Sequence, residues 1–284
     1  MNTSIRSLLG VQIHQISGIY ASAEAKEIIY RLAEHVLRCN RSKLLLELDE
    51  FASEGLVKEI ESYVRRLISY EPLQYVIGEV EFYGCPIKVT PAVLIPRPET
   101  EELVDIIVKD WSAKDLRVID LGTGSGCIPI ALAKNLVRSR VTSVDVSGDA
   151  LLVARENAQR NGVDVDFLRE DMRTFTSEDR FDIIVSNPPY VMEVEKRLMR
   201  ENVLNYEPHL ALFVQNSEPL EFYKAIARIA SSQLKADGKV YMEINQQLGI
   251  ETASLFADLG MRAEVRKDLF GVDRFVVAER GGQK

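Results

Sequence analysis

The sequence predicts an α/β protein: a sheet of seven strands, mostly parallel with an antiparallel last strand, preceded by a small amino-terminal helical domain. Short β-prone runs alternate with helical runs from residue 117 onward, which is typical of parallel strands joined by crossover helices. The last two runs are joined by a short connection, 268–273, and are therefore expected to be antiparallel. The predicted strands are 117–121, 141–145, 165–168, 181–186, 239–244, 261–267 and 274–279, and the predicted helices between them lie near 127–136, 148–161, 220–234 and 246–259.

The first 71 residues predict a separate helical domain. Apolar residues recur at three- and four-residue spacing within 23–37 and again within 56–67, as on the buried face of an amphipathic helix. Ser22 and Ser53 are placed to cap these two helices at their amino ends. A plain helical core accounts for the apolar positions. We therefore expect the function of residues 1–71 to lie on their outer face, as a binding surface for a partner protein.

A β-hairpin is predicted between the helical domain and the sheet. Residues 72–92 contain short β-prone stretches on both sides of 84–86, and we assign this segment to a linker. Pro98 suits the first position of a following helix, and the acidic residues within 99–101 are favourable in its first turn. The remaining segment, 93–284, contains the sheet and all the candidate site residues.

Composition narrows the class of protein further. The chain has 284 residues, 46% of them hydrophobic, and a formal net charge of −8. It shows no run long enough to span a membrane and no run of lysine or arginine, so we expect neither membrane insertion nor direct nucleic-acid binding. Three widely spaced cysteines and the absence of a signal-peptide pattern favour a cytoplasmic location. The three histidines lack metal-ligand spacing, so no metal is expected.

A glycine-rich turn follows the first strand of the predicted sheet. Gly122, Gly124 and Gly126 would let the backbone approach a ligand closely, and the helix that begins behind them favours negative groups at its amino end. The fingerprint of dinucleotide-binding proteins would have its third glycine at position 127. This chain has Cys127 there, which we interpret as a small buried helix residue. The pattern thus favours a nucleoside with a small amino-acid tail over a pyrophosphate.

Acidic residues follow the next two predicted strands. Asp145 ends the second strand, about where an acid reaches the hydroxyls of a ribose. Asp171 and Met172 follow the third strand, and are placed to meet an adenine amino group and an adenine face. Taken singly, each acid is also explained as a helix cap or a solvated strand end. Their order at successive strand ends favours one nucleoside site.

The sequence Asn187-Pro188-Pro189-Tyr190 follows the fourth predicted strand. Proline fixes its own φ and favours extended backbone before it, so Asn187 and Pro188 should form a stiff, extended hook. The Asn187 side-chain oxygen and the Pro188 carbonyl can accept the two hydrogens of one NH2 group, while Tyr190 lies against the flat group that carries it. Such a run is also ordinary loop punctuation. With the glycine turn and the two acids, however, it predicts a site that holds an amide or amino nitrogen.

This constellation resembles the S-adenosylmethionine-dependent methyltransferases of the seven-stranded class, and more closely the peptide chain release factor glutamine N5-methyltransferases (the HemK/PrmC family). The resemblance covers roughly residues 70–277. Its most specific segment is Arg97-Pro-Glu-Thr-Glu101, ahead of the glycine turn. The matching segments are 72–75 with Gly78, 82–84, 94–101, 120–126, 186–190, 206–208 and 268–269 with 273–274. The chain departs from the pattern at Asn245, where the family tends to have glycine, and at 215–218; we expect neither departure to touch the chemistry.

The resemblance implies a Rossmann-like methyltransferase sheet, S-adenosylmethionine as the cofactor, and transfer of its methyl group to a glutamine side-chain nitrogen. The implied substrate is the glutamine in the Gly-Gly-Gln loop of class 1 peptide chain release factors. The residues expected to act in catalysis are Asn187, Pro188 and Tyr190. Those expected to bind the cofactor are Gly122, Thr123, Gly124, Ser125, Gly126, Asp145, Asp171, Met172 and Asn187. Those expected to bind the substrate are Asn187, Pro188, Pro189, Tyr190 and Arg97, the last with a surface salt bridge as its alternative role.

Four alternatives remain open at this point. A glutamine of a ribosomal protein would use the same chemistry. An adenine or cytosine amino group of DNA or RNA would use the same hook, although the net charge disfavours it. A non-catalytic cofactor-sensing protein would be expected to lack part of the constellation, and a dinucleotide oxidoreductase disagrees with Cys127. The chain also ends in 281–284, Gly-Gly-Gln-Lys, which is either a chance tail or a mimic of the substrate loop.

Overall fold

The computed structural model describes residues 3–112 and 115–280. The Gly-Gly-Gln-Lys tail lies outside these residues. The helices are α1 (Ile5–Ile16), α2 (Ser22–Leu37), α3 (Arg41–Leu46), α4 (Glu54–Ile68), α5 (Leu73–Ile77), α6 (Pro98–Asp110), α7 (Cys127–Asn135), α8 (Gly148–Asn161), α9 (Glu201–Tyr206), α10 (Glu221–Gln233) and α11 (Gly249–Ala257). The strands are β1 (Glu79–Phe82), β2 (Cys85–Lys88), β3 (Arg117–Leu121), β4 (Arg140–Asp145), β5 (Asp166–Arg169), β6 (Phe181–Ser186), β7 (Val191–Met192), β8 (Phe213–Val214), β9 (Leu234–Glu243), β10 (Met261–Lys267) and β11 (Asp273–Arg280).

The chain divides into two compact units. The first contains the described residues through Gly78 together with Arg200–Tyr206, and the second contains Glu79–Met199 and the described residues from Glu207 onward. The β1–β2 hairpin, which the sequence analysis assigns to a linker, therefore falls in the second unit. There the side chain of Asn157 on α8 bonds both the backbone N–H and the carbonyl of Lys88 on β2.

The first unit is helical, as the sequence predicts. Its core is formed by apolar side chains from α1 to α5, among them Leu9, Ile29 and Ile60. Ser53 caps α4, because its hydroxyl accepts a hydrogen bond from the Leu56 N–H at 3.2 Å. The predicted cap of α2 is wrong: Ser22 is already the first helical residue, and Ala21 holds the cap position without a side-chain bond. No helix within the described residues is long and apolar enough to cross a membrane.

The second unit is built on a sheet of seven strands in the order β10-β11-β9-β6-β3-β4-β5. The five strands from β9 to β5 are parallel, and β11 runs antiparallel to both of its neighbours. This confirms the predicted sheet and its antiparallel end. The central strands are buried on both faces: in β6, Ile183, Ile184 and Val185 are all inaccessible to solvent.

One strand is longer than predicted. β9 begins at Leu234 rather than at 239, because Leu234 pairs with Phe181 before an irregularity in the register of β6 and β9. At the other end of the strand, Glu243 faces the turn that follows β6. All the parallel strands end at the same edge of the sheet, which is where an open α/β sheet binds its ligands. This edge carries the candidate site.

Candidate active site

The glycine-rich turn connects β3 to α7 and adopts backbone conformations that favour glycine. The φ angles are +82° at Gly122, +54° at Gly124 and +81° at Gly126. A Cβ atom at Gly126 would lie 3.0 Å from the Cβ of Ala154, whereas one at Gly124 would meet no protein atom within 4 Å. Gly126 therefore allows α7 and α8 to pack closely, and Gly124 leaves space in front of the turn.

Asp145 at the end of β4 holds this turn in place. One carboxylate oxygen accepts the Gly124 N–H at 2.8 Å, and the other accepts the Ser147 N–H at 2.8 Å. Burial raises the pKa of Asp145, while these backbone hydrogen bonds act in the opposite direction. Each oxygen retains a lone pair that can accept a further hydrogen bond, for example from a diol.

Asp171 and Met172 follow β5 and differ in burial. Asp171 forms a bidentate pair with Arg173, with distances of 2.7 to 3.1 Å, and this hydrogen bonding lowers the pKa of Asp171. Met172 is only 7% exposed, and its Cε lies 3.1 Å from where a Cβ of Gly122 would be. The thioether thus packs directly against the glycine turn.

These residues line one large cavity with an empty volume of about 1060 Å³, part of it open to solvent. Its wall contains all but one of the residues expected to bind a cofactor: Gly122, Thr123, Gly124, Ser125, Asp145, Asp171, Met172 and Asn187. Gly126 does not line the cavity, because it faces Ala154 on α8.

A smaller cavity, with an empty volume of about 310 Å³, adjoins the first. Its wall is formed by Leu94, Arg97, Asn187, Pro188, Tyr190, Val191, Ala211 and Leu212. Four of these residues, Leu94, Arg97, Asn187 and Ala211, also line the larger cavity. Pro189 lines only the larger one. The turn after β6 therefore stands between two cavities, with Asn187 facing both.

Asn187 is held by a side chain that the sequence analysis did not single out. Its Nδ2 donates a hydrogen bond to the Thr100 hydroxyl at 3.0 Å. Thr100 lies in the first turn of α6, whose start at Pro98 the sequence predicts correctly. Tyr190 is held in a similar way, since its hydroxyl donates to Glu243 at 2.8 Å. Thr100 belongs to the Arg97–Glu101 segment that carries the family resemblance, but the acidic residues of that segment were explained by the start of a helix.

Arg97 forms a salt bridge inside the second unit. Its Nη2 lies 2.5 Å from Glu207 Oε1, and Glu207 Oε2 accepts the Ile95 N–H at 3.1 Å. The Glu207 side chain is 1% exposed and that of Arg97 is 32% exposed. The pair fixes the segment before α6 as one wall of both cavities. The salt bridge is therefore partly buried rather than a surface pair, and Arg97 also borders the smaller cavity.

A buried acid lies beneath the glycine turn and was missed as a separate site residue. Asp120 on β3 is inaccessible to solvent; its Oδ2 accepts a hydrogen bond from the Ser143 hydroxyl at 3.2 Å. Its Oδ1 is buried without a hydrogen-bond partner among the described residues. Burial raises the pKa of Asp120 to about 7. The signal was its position near the carboxyl end of a central strand, two residues before Gly122.

Asn245, where the chain departs from the family pattern, contacts the backbone of the turn after β6. Its Nδ2 donates to the backbone carbonyl of Tyr190 at 3.2 Å and to Glu195 Oε2 at 3.0 Å. Its backbone N–H donates to the Tyr223 hydroxyl at 3.1 Å. Asn245 lies two residues after the end of β9, so the strand order brings it beside the turn after β6. The departure from the family pattern therefore supports the backbone of that turn.

Cys127 is the first residue of α7 and is buried, as interpreted from the sequence. Burial raises the pKa of its thiol to about 12, so the thiol stays protonated at neutral pH. Across residues 3–112 and 115–280, no group of three or more histidine, cysteine, aspartate or glutamate side chains is arranged to hold a metal ion.

Comparisons with known proteins agree with this arrangement. The family model of the methyltransferase small domain matches residues 99–210, and that of the PrmC N-terminal domain matches residues 15–78. Together these matches include the glycine turn, the turn after β6 and most of the helical unit.

Several full-length relatives carry the name release factor glutamine methyltransferase. The protein of Flavobacterium psychrophilum is 41% identical over 93% of this chain and 95% of its own length. That of Bacteroides thetaiotaomicron is 41% identical over 93% and 96%, respectively. That of Streptococcus pneumoniae is 43% identical over 82% of this chain and 83% of its own.

Solved structures show the same fold at low sequence identity. A methyltransferase from Pyrococcus furiosus superposes with a TM-score of 0.53 and 20% identity, covering 78% of this chain and 98% of that one. The ribosomal protein L11 methylase from Lactobacillus delbrueckii subsp. bulgaricus gives a TM-score of 0.51 and 21% identity, covering 68% and 84%. These likenesses establish the methyltransferase fold of the second unit.

Proposed function

This chain belongs to the release factor glutamine methyltransferase family, and from that premise we propose that it methylates the glutamine of the Gly-Gly-Gln loop in class 1 peptide chain release factors. The methylated atom is the side-chain amide nitrogen, N5. The methyl donor is S-adenosylmethionine. One structural observation carries the proposal: two cavities meet at Asn187, one lined by the glycine turn and the other by Pro188 and Tyr190.

The larger cavity fits S-adenosylmethionine. The space in front of Gly124, which a larger side chain would fill, leaves room for a ligand. Asp145 retains acceptor capacity for the two ribose hydroxyls, and its carboxylate is fixed by two backbone N–H groups. Asp171 and Met172 border the same cavity, where we propose that they meet the adenine amino group and the adenine face. When bound, S-adenosylmethionine supplies a methyl group on a positively charged sulfur, and its transfer to the glutamine nitrogen breaks the carbon–sulfur bond and releases one proton from that nitrogen.

The smaller cavity suits the substrate amide. An amide nitrogen is a poor nucleophile, because its lone pair is delocalised into the carbonyl group. The Asn187 Oδ1 and the Pro188 carbonyl accept its two hydrogens, which increases electron density on nitrogen and fixes the direction of attack. Positioning of this kind contributes on the order of 7 to 11 kcal/mol in favourable cases. Tyr190 forms one wall of the cavity and contacts the planar amide.

The charge of the site also favours this reaction. Methyl transfer moves positive charge towards the amide nitrogen, and acceptor dipoles already directed at that nitrogen stabilise the transition state. The proton leaves late in the reaction, so we assign no residue as general base. Tyr190 is unsuited to that role, because burial and the neighbouring Glu243 carboxylate raise its pKa well above the ordinary value.

The partner is a protein, and the helical unit is proposed to bind it. The net charge of −8 suits a basic partner surface, since opposite fields speed encounter. We assign the reaction to the cytoplasm, because its proposed substrate acts in translation termination.

The test is methyl transfer from labelled S-adenosylmethionine into purified release factors. Each factor is compared with its own Gln→Ala loop variant, and a ribosomal-protein fraction and duplex DNA serve as parallel substrates. We expect label in the release factor that disappears in the Gln→Ala variant. Label that persists in that variant, or that enters only ribosomal protein or DNA, would overturn the proposed substrate.

A further inference from the structure

The last residue of β9 is a buried acid next to the proposed substrate cavity. Glu243 is 1% exposed, and each of its carboxylate oxygens accepts a hydrogen bond from a hydroxyl group. Oε2 accepts from Thr100 at 2.7 Å, and Oε1 accepts from Tyr190 at 2.8 Å. Both hydroxyl hydrogens therefore point towards the carboxylate, which accepts them.

The direction of these hydrogen bonds determines how the Asn187 amide is oriented. Thr100 has a single hydroxyl hydrogen, which is used by Glu243. The Thr100 oxygen can therefore only accept a hydrogen bond from Asn187, and it accepts the Asn187 Nδ2–H at 3.0 Å. A flipped Asn187 would place its oxygen against the Thr100 oxygen with no hydrogen between them, which is unfavourable. Glu243 thus sets the amide orientation through Thr100.

The same carboxylate holds the other end of the Asn187–Tyr190 turn. Burial and the Glu243 charge raise the pKa of Tyr190 well above its ordinary value, so Tyr190 remains a neutral donor. Charged and titratable groups on several elements face Glu243: Arg274 on β11, Glu99 on α6 and Tyr190 itself. Arg274 is in turn paired with Asp268 at 3.2 Å. Burial raises the pKa of Glu243, and the two hydroxyls and Arg274 act in the opposite direction.

We propose that Glu243 and Thr100 are positioning residues for methyl transfer, which fix Asn187 so that its Oδ1, and not its Nδ2, is presented to the substrate NH2 group. The inference rests on the proposed function, because the orientation of Asn187 matters only if the substrate offers hydrogens. Thr100 and Glu243 are 143 positions apart in the chain, and the fold brings them into contact.

The test uses the full-length protein with a release factor as substrate. Thr100→Val removes the hydroxyl at nearly constant size, and Thr100→Ser restores it. We expect Thr100→Val to lower kcat by about 10- to 100-fold, since a small misplacement of a reacting group can cost about 100-fold. The KM for the release factor and the Kd for S-adenosylmethionine should stay within about twofold, and Thr100→Ser should recover most of kcat.

Thr252→Val is the matched control. Thr252 on α11 is also fully buried, but its hydroxyl has no hydrogen-bond partner among the described residues. Its removal should leave kcat unchanged. A loss of kcat in Thr252→Val equal to that in Thr100→Val would show a general effect of buried threonines and overturn the proposal.

Two further variants separate positioning from folding. Glu243→Gln keeps the shape but presents an NH2 donor to one of the two hydroxyls, so it should lower kcat while the thermal unfolding midpoint stays close to that of Thr100→Val. In the double variant Thr100→Val with Asn187→Ala, the Thr100 change should add less than about twofold to the loss, because it acts through Asn187.

Three further results would overturn the inference. They are an unchanged kcat in Thr100→Val, a Thr100→Ser variant as slow as Thr100→Val, and fully multiplicative effects of Thr100→Val and Asn187→Ala. Failure of the proposed function gives a different result, since the wild-type protein itself would then not label the release-factor glutamine.

Discussion

The two cavities that meet at Asn187 are built in different ways. One wall of the larger cavity is formed by backbone: three glycines within five consecutive residues, with a strand-end acid, Asp145, that accepts the Gly124 N–H. The smaller one depends on a network of side chains from three distant parts of the chain, Thr100, Asn187 and Glu243. A site made of consecutive residues leaves a motif in the sequence, whereas a network of distant side chains does not.

Asn187 belongs to both cavities, and its truncation should give the largest effect. Asn187→Ala removes one of the two acceptors that we propose for the substrate NH2 group. We expect kcat to fall by about 10² to 10³-fold, by analogy with the loss of one transition-state hydrogen bond in other enzymes. The Kd for S-adenosylmethionine, measured by calorimetry, should change by less than about threefold. A variant with near wild-type turnover would contradict the hook.

The pH dependence of protein stability tests the protonation state of Asp120, which lies beneath the glycine turn of the larger cavity. Burial raises the pKa of Asp120 to about 7 in the folded protein, against about 3.9 in an unfolded chain. The folded state therefore holds a proton that the unfolded state has lost, and stability falls as the pH rises from about 4 to about 7.

The variant Asp120→Asn lacks this titration. Its free energy of unfolding, relative to wild type, should increase by about 2 to 3 kcal/mol between pH 5 and pH 8. Denaturant unfolding at both pH values measures the difference. Parallel pH dependences of the two proteins would show that Asp120 is ionised in the folded state across this range.

Alanine substitutions at two glycines of the same turn should destabilise the protein by different amounts, because their surroundings differ. Gly126→Ala forces a Cβ to 3.0 Å from Ala154 and also places it at a φ of +81°, so overpacking and backbone strain together should lower stability by about 2 to 5 kcal/mol. Gly124→Ala meets no protein atom, so its stability should drop by only about 1 to 2 kcal/mol from the left-handed backbone.

The two substitutions should rank in the opposite order when cofactor affinity, rather than stability, is measured. Because Gly124 faces the larger cavity and Gly126 does not line it, Gly124→Ala should weaken S-adenosylmethionine binding more than Gly126→Ala. Denaturant unfolding and calorimetric titration of both variants provide the comparison. Equal losses of affinity would mean that the whole turn, rather than the surface at Gly124, determines binding.

The smallest effect is expected at Asn245, which supports the smaller cavity through the backbone. Asn245→Gly removes hydrogen bonds to the Tyr190 carbonyl and to Glu195. A single hydrogen bond contributes about 0.5 to 1.5 kcal/mol, and the residues of the turn retain their other contacts. We expect kcat to fall by less than about fivefold. A loss as large as that of Asn187→Ala would place Asn245 within the reacting machinery.

Much of this molecule could be predicted from its sequence, and the reasons are local. The period of apolar residues predicted the helical unit, and the alternation of strands and helices predicted all seven strands of the sheet. Single-residue details were less secure: Ala21, rather than Ser22, holds the cap position of α2, because the helix begins one residue earlier than expected. The early start of β9 depends on pairing between Leu234 and Phe181, which no local pattern reveals.

The sheet, the family resemblance and the two motifs of the candidate site could be read from consecutive residues, because glycine turns and proline hooks are short-range consequences of backbone geometry. Only the tertiary structure decided which side chains complete that site. Strand β9 lies beside β6, and this neighbourhood brings Glu243 and Asn245 to the Asn187–Tyr190 turn. The start of α6 brings Thr100 to the same place. The physical reason is that a buried carboxylate binds whichever hydroxyls the packing brings within reach, and packing joins residues far apart in the chain.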